Sequence, residues 1–281
     1  MVPGAKRRMR EIWAVVLALT LLSVAGPARA ASDCNAADIG SAAGAVANSL
    51  SLGTLVWSPF GRLERGWEVY APRIAAEIQT RCPAASPGFA AAFARWQRGR
   101  RLFPTGVVDA QSFAAMTALW QARRPYVAVR ARGTCPPPPP VVLAARGYLG
   151  KTIKLRPKAL GAYRAMTDAA RRDLPEMRRD PRWLSIFSGF RDPASDAARC
   201  ARDGNCNGIA RAKCSAHRTG LAMDLYVGEA PGYGPDSSKD PSRLAMSRTP
   251  AYRWLLANAA RFGFVNYAFE PWHWEWTGEA P

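Results

Sequence analysis

Histidine is almost absent from this chain: 281 residues contain only His217 and His273. Any imidazole chemistry must therefore run through those two positions, and histidine is the commonest metal ligand among side chains. Acidic residues are also scarce, 21 against 39 Lys and Arg, for a formal charge of +18. Such basicity points to a polyanionic surrounding. The basic residues are dispersed and form no nucleic-acid-binding motif, which argues against DNA or RNA as partner. Beyond residue 25 no apolar run approaches the length of a membrane span, so none is expected in the mature chain.

The N-terminus has the organisation of an export signal. Lys6, Arg7, Arg8 and Arg10 precede an apolar stretch from Ile12 to Ala25, and Ala28-Arg29-Ala30 is a small-residue cleavage site. Residues 1–30 are expected to be removed, which takes away five basic residues and one acid and leaves a charge of +14. The expected location is the bacterial periplasm or the exterior, where cell-wall glycopolymers and anionic lipids are the available polyanions. Six cysteines remain (34, 82, 135, 200, 206 and 214), an even number that favours disulfides in an exported chain. The spacing suggests a Cys34–Cys82 staple, a local pair among the last three, and Cys135 bonded to the remaining one.

Five consecutive prolines, Pro136 to Pro140, form a stiff spacer. Residues 135–142 are read as a linker between a helical domain, 31–134, and a catalytic domain, 143–281. In the first, Phe89, Phe93 and Trp96 share one helical face, a Gly106-containing turn follows, and residues 111–121 form a second helix with Phe113, Met116 and Trp120 at helical spacing. In the second, residues 157–177 read as helix interrupted before Pro175. Residues 184–190, 221–227 and 272–276 read as strands. Thr249-Pro250 to Gly263 reads as a helix with its caps. This irregular order predicts an α+β fold with a small sheet and flanking helices.

The chemistry concentrates in the second region. His217 and Asp224 flank Gly220, which permits a tight turn into the following strand. His273 arrives from a separate strand. Two imidazoles and a carboxylate suit a catalytic zinc with one open position. Glu270 lies close enough in sequence to His273 to act as general base on a zinc-activated water. Amide hydrolysis is the reaction such a set would support. Two other metal sites come into view. Residues 203–208 match the start of a calcium loop, but Cys214 occupies its twelfth position, where a bidentate Glu is needed. Cys200, Cys206, Cys214 and His217 would make a structural zinc site, but export favours oxidation of those thiols.

Three segments carry a family resemblance: Ser188-Gly189-Phe190-Arg191, Ser215-x-His217-x-x-Gly220-x-Ala222-x-Asp224, and Glu270-Pro271-Trp272-His273. They resemble the D-alanyl-D-alanine metallocarboxypeptidases, the VanY-like members of a superfamily that includes lysostaphin-type enzymes and the hedgehog signalling domain. The resemblance covers residues 143–281 and implies that superfamily's peptidase fold. It implies His217, Asp224 and His273 as zinc ligands, Glu270 as catalytic base, and Arg191 as the cation on the substrate carbonyl or carboxylate. Ser215 would orient the peptide and Trp272 would shape the wall. The implied substrate is the D-Ala-D-Ala end of peptidoglycan stem peptides. A Gln common beyond the Arg in relatives is missing here. Residues 89–121 resemble part of a peptidoglycan-binding-like module through Phe93, Trp96, Gln97, Gly106, Val108, Ser112, Phe113 and Met116, with Thr105 where relatives often carry Asp. The competing readings are an endopeptidase of the same fold, a cell-wall-binding protein whose zinc is structural, and a basic envelope protein without catalysis.

Overall fold

The computed structural model of the protein describes residues 1, 34–35, 38–131, 135–202 and 214–281. The expected leader beyond Met1, Cys206 and the calcium-like turn at 203–208 lie outside the described residues. Asp33–Pro281 forms one compact unit. No helix among the described residues is long and apolar enough to cross a membrane.

The helical half begins with α1 (Ile39–Ser51), opened by a capping box between Asp38 and Ser41. A two-residue ladder of β1 (Val56–Trp57) and β2 (Glu64–Arg65) precedes α2 (Ala71–Glu77). Then come α3 (Pro87–Gly99), α4 (Ala110–Ala122) and α5 (Pro125–Arg130). Ser86 and Asp109 cap α3 and α4 by accepting from Phe89 N and Ser112 N. The expected face of α3 is buried at Phe89 and Phe93, which stack on each other, with Trp96 at its edge. Cys34–Cys82 staples this half.

The second half starts with a hairpin, β3 (Leu143–Arg146) and β4 (Thr152–Leu155). The expected break before Pro175 divides this helical stretch into α6 (Pro157–Asp173) and α7 (Pro175–Arg179), because Leu174 before Pro175 turns to extended backbone. Next come β5 (Ile186–Ser188), α8 (Pro193–Arg202), β6 (Ala222–Leu225), α9 (Asp240–Arg248), α10 (Pro250–Asn258), β7 (Phe264–Asn266) and β8 (His273–Trp276). Strand β5 begins two residues later than the expected 184, where Leu184 takes a left-handed φ of 59°, and gives way to the expected loop at Gly189. Helix α10 has the expected Thr249 cap and ends through a 3-10 turn at Gly263.

Strands β5, β6, β8 and β7, in that spatial order, make an antiparallel sheet. With its flanking helices it gives the α+β architecture expected from the sequence. One face packs Met223, Leu225, Phe264 and Trp274 against α6 and α10 residues such as Leu160, Met166 and Leu255. Each such side chain contributes roughly 1.5–3 kcal/mol by burial. The sheet is thereby a rigid base for whatever its other face and upper edge carry.

The two halves are packed on each other. Arg243 is fully buried and reaches Glu64 at 3.1 Å. Tyr126 and Val129 of α5 cluster with Ala216 and Ala222. Cys135 is bonded to Cys214, tying the proline-rich segment to the sheet half as the cysteine spacing suggested. Cys200 is also disulfide-bonded.

Candidate metal centre and cleft

Register explains the first contact of the site. Asp224 on β6 and His273 on β8 are directly paired residues of adjacent antiparallel strands, so their side chains lie on the same face. His273 Nδ1 is 2.9 Å from Asp224 Oδ1. His217 comes from a 3-10 turn, Ala216–Thr219, closed by Gly220 at φ 69°, where a side chain would be strained. That turn brings His217 Nε2 to 3.1 Å from Asp224 Oδ2. All three side chains are buried, and one ligand atom from each lies within 4.8 Å of the others.

The outward nitrogen of each ring is also held. His217 Nδ1 is 2.8 Å from the Gly189 carbonyl, and His273 Nε2 is 3.3 Å from Glu275 Oε1. Gly189 can present that carbonyl only because the chain passes close to Lys154: a Cβ at Gly189 would lie 2.5 Å from the Lys154 carbonyl oxygen. Acceptors behind both rings favour a proton on the far nitrogen, leaving the near nitrogen free to bind a cation. The donor set of two imidazoles and one carboxylate therefore fits a divalent ion of zinc type.

Electrostatics follow the same geometry. Burial disfavours the Asp224 carboxylate, but His217 and His273 outweigh it and hold its pKa well below the usual range. Burial would lower His273, yet hydrogen bonds to Asp224 and Glu275 raise it to about 9. Glu275 is opposed by burial and pulled down to about 2, chiefly by Arg124. Glu270 differs from these. Its Oε2 is 4.0 Å from His273 Nδ1, and its side chain keeps 31% exposure at the cleft. Burial raises its pKa, and His273 counteracts this more than Asp224 reinforces it among the charged neighbours. A carboxyl pushed up while facing a cleft is poised to exchange protons.

A cleft of about 650 Å³ opens over these groups. Arg191 also lines it, with its guanidinium donating to Ser215 Oγ at 3.1 Å and Ser188 Oγ at 3.3 Å. Burial and nearby Arg199 lower its pKa, against the pull of Asp196. Ser215 in turn donates to Asp196 Oδ1 at 3.1 Å. Trp272 lines the cleft while the bulk of its ring belongs to the sheet core. Thus all seven residues singled out in the sequence line or floor one cleft.

Three further residues escaped the sequence reading. Asp196 is buried and holds Arg191, Ser215 and Arg218 together. It sits in the segment where the family's Gln is missing, and that departure was its only signal. Glu275 shares a face with His273 by strand alternation, which the sequence does display. Arg124 bonds Glu275 across 151 positions, and nothing local announces it. The helical half also supplies Phe60, Gly61 and Arg62 to the cleft wall, Phe60 packing on Tyr267 and Phe269.

The segment that carries the site was compared with known proteins. Residues 152–279 match the model of the VanY family, described as D-alanyl-D-alanine carboxypeptidase. A search of curated proteins returns no match.

Proposed function

We propose, from a VanY-type domain at residues 152–279, that the protein is an exported zinc peptidase removing the terminal D-alanine from peptidoglycan stem peptides. The observation that carries this reading is the convergence on one cleft of a buried His217–Asp224–His273 set, a part-exposed Glu270 beside it and Arg191 in the same lining. Bound zinc would supply Lewis acidity and a water of lowered pKa.

The residues divide the remaining work. Glu270 takes the proton of the attacking water and delivers it to the leaving amine of D-alanine. Arg191 offers a fixed, always charged fork to the scissile carbonyl oxygen as it gains negative charge, or to the free terminal carboxylate. Ser215 and Asp196 keep that fork aimed into the cleft. Trp272 gives the cleft an apolar side. The Cys34–Cys82 and Cys135–Cys214 bonds and the disulfide of Cys200 suit an oxidising compartment, where this polymer is found.

The test is incubation of the purified mature chain with pentapeptide and with cross-linked muropeptides. Free D-alanine from the pentapeptide, abolished by chelator and by Glu270→Ala, is the expected result. New amines from cross-linked material alone would instead identify an endopeptidase. Release that survives Glu270→Ala would sink the assigned base.

A further inference from the structure

We infer that the helical half contributes to the metal centre: Arg124 is a positioning residue that fixes the ring of His273 through Glu275. The inference rests on the reading of His273 as a metal ligand. Arg124 precedes α5, upstream of the proline run and outside residues 152–279, so it lies beyond the domain that the family match delimits.

The contacts form a closed chain. Arg124 Nη2 and Nε lie 2.6 and 2.8 Å from Glu275 Oε1. The other oxygen, Oε2, accepts from Tyr126 N at 3.0 Å. Glu275 Oε1 then meets His273 Nε2 at 3.3 Å. The guanidinium is itself pinned, donating to Gln121 Oε1 at 2.6 Å and lying 4.1 Å over the Tyr267 ring. Both ends of the ion pair are buried, at 9% and 2% side-chain exposure.

Such a pair is strongly destabilised when one partner is removed, because the other charge remains buried and unpaired. A neutral imidazole has a single N–H. Donating it to Glu275 from Nε2 leaves the Nδ1 lone pair facing Asp224 and His217. His217 is held differently, by the Gly189 carbonyl within the sheet half. One imidazole is thus oriented by the sheet half itself and the other by a carboxylate that the helical half keeps in place.

The test measures Zn²⁺ affinity of the full mature chain by competition with a chromophoric chelator, with the visible spectrum of the Co²⁺-loaded protein as second readout. Arg124→Ala is expected to weaken Zn²⁺ binding about 10- to 100-fold and to shift the Co²⁺ bands, and Arg124→Lys to restore part of the loss. In the Glu275→Gln background, removing Arg124 leaves no carboxylate buried without its partner and should cost less, so the two changes should not add. If Arg124→Ala does not fold, Glu275→Gln alone carries the test through a several-fold loss and a changed spectrum. Unchanged affinity in a folded Arg124→Ala or Glu275→Gln chain overturns this link and leaves the metal site standing. A wild type that binds no Zn²⁺ overturns the metal reading and this link with it.

Discussion

The two halves of the molecule bury polar side chains to opposite ends. In the helical half, Gln97 is 1% exposed and spends its amide on the 105–112 turn: Gly106 N donates to its oxygen at 2.8 Å, and its nitrogen reaches Thr105, Val107 O and Ser112. Asn48 does the same at Gly106 O and Val108 N. These groups are satisfied by the backbone and hydroxyls of one turn, which they close. In the sheet half, His217, Asp224 and His273 are equally buried, yet their bonds run to one another and their near atoms converge on a point under a cleft. Burial of a polar residue therefore says little by itself. The direction in which its partners lie separates a structural role from a chemical one.

That contrast can be broken experimentally, and the largest effect belongs to Glu270. Glu270→Gln should lower D-alanine release by about 10²–10⁴-fold while the metal content stays constant by elemental analysis. Arg191→Ala should follow, with a loss of about 10²–10³-fold seen in kcat/KM, again without loss of metal. Gln97→Ala should act in the opposite sense. It leaves buried partners of the turn unsatisfied and should cost about 1–3 kcal/mol of stability by denaturant melts, with kcat per folded molecule unchanged. A large fall in kcat there would erase the distinction between the halves.

The smallest effect sharpens the electrostatic side. In metal-free protein the His273 pKa is raised to about 9 from an ordinary 6.5. A group raised on folding contributes stability that is fully present below 6.5 and lost as pH rises through 9. The melting temperature of chelator-treated protein should thus fall by a few degrees across that window. Zinc-loaded protein, whose ring is already neutral, should lose less. Equal slopes with and without zinc would contradict the assignment of His273 as a ligand.

Much of the sheet-half site was legible because its signals are local. Gly220 marks the turn after His217, and the strand character of residues 221–227 and 272–276 puts Asp224 and His273 on pleated surfaces. The same alternation offered Glu275, two positions beyond His273. Arg124 was invisible for a physical reason: its partner is 151 positions away, and an arginine among 39 basic residues carries no local mark. The proline run was legible as a change of architecture, but no composition reveals that α5 packs onto Ala216 and Ala222 across it. In residues 89–121, the aromatic residues and Gln97 that resemble a cell-wall-binding module are engaged in core and turn. What face that region presents to a polymer is a property of its surface, which such a motif does not describe.

The Cys135–Cys214 bond has a consequence in polymer terms. It closes a loop of 79 residues that contains β3 to β5 and α6 to α8. A crosslink of that span removes about 4.5 kcal/mol of chain entropy from the unfolded ensemble in the simple loop-closure account. It also joins two points of functional weight, because Arg124 lies just upstream of Cys135 and Ser215 directly follows Cys214. Even in an unfolded chain the helical segment is thereby confined near the segment that leads to His217. Its docking becomes an encounter at high local concentration rather than a search along the whole contour. Once formed, the bond holds the two halves within reach of each other, whichever order the strands of the sheet assemble in.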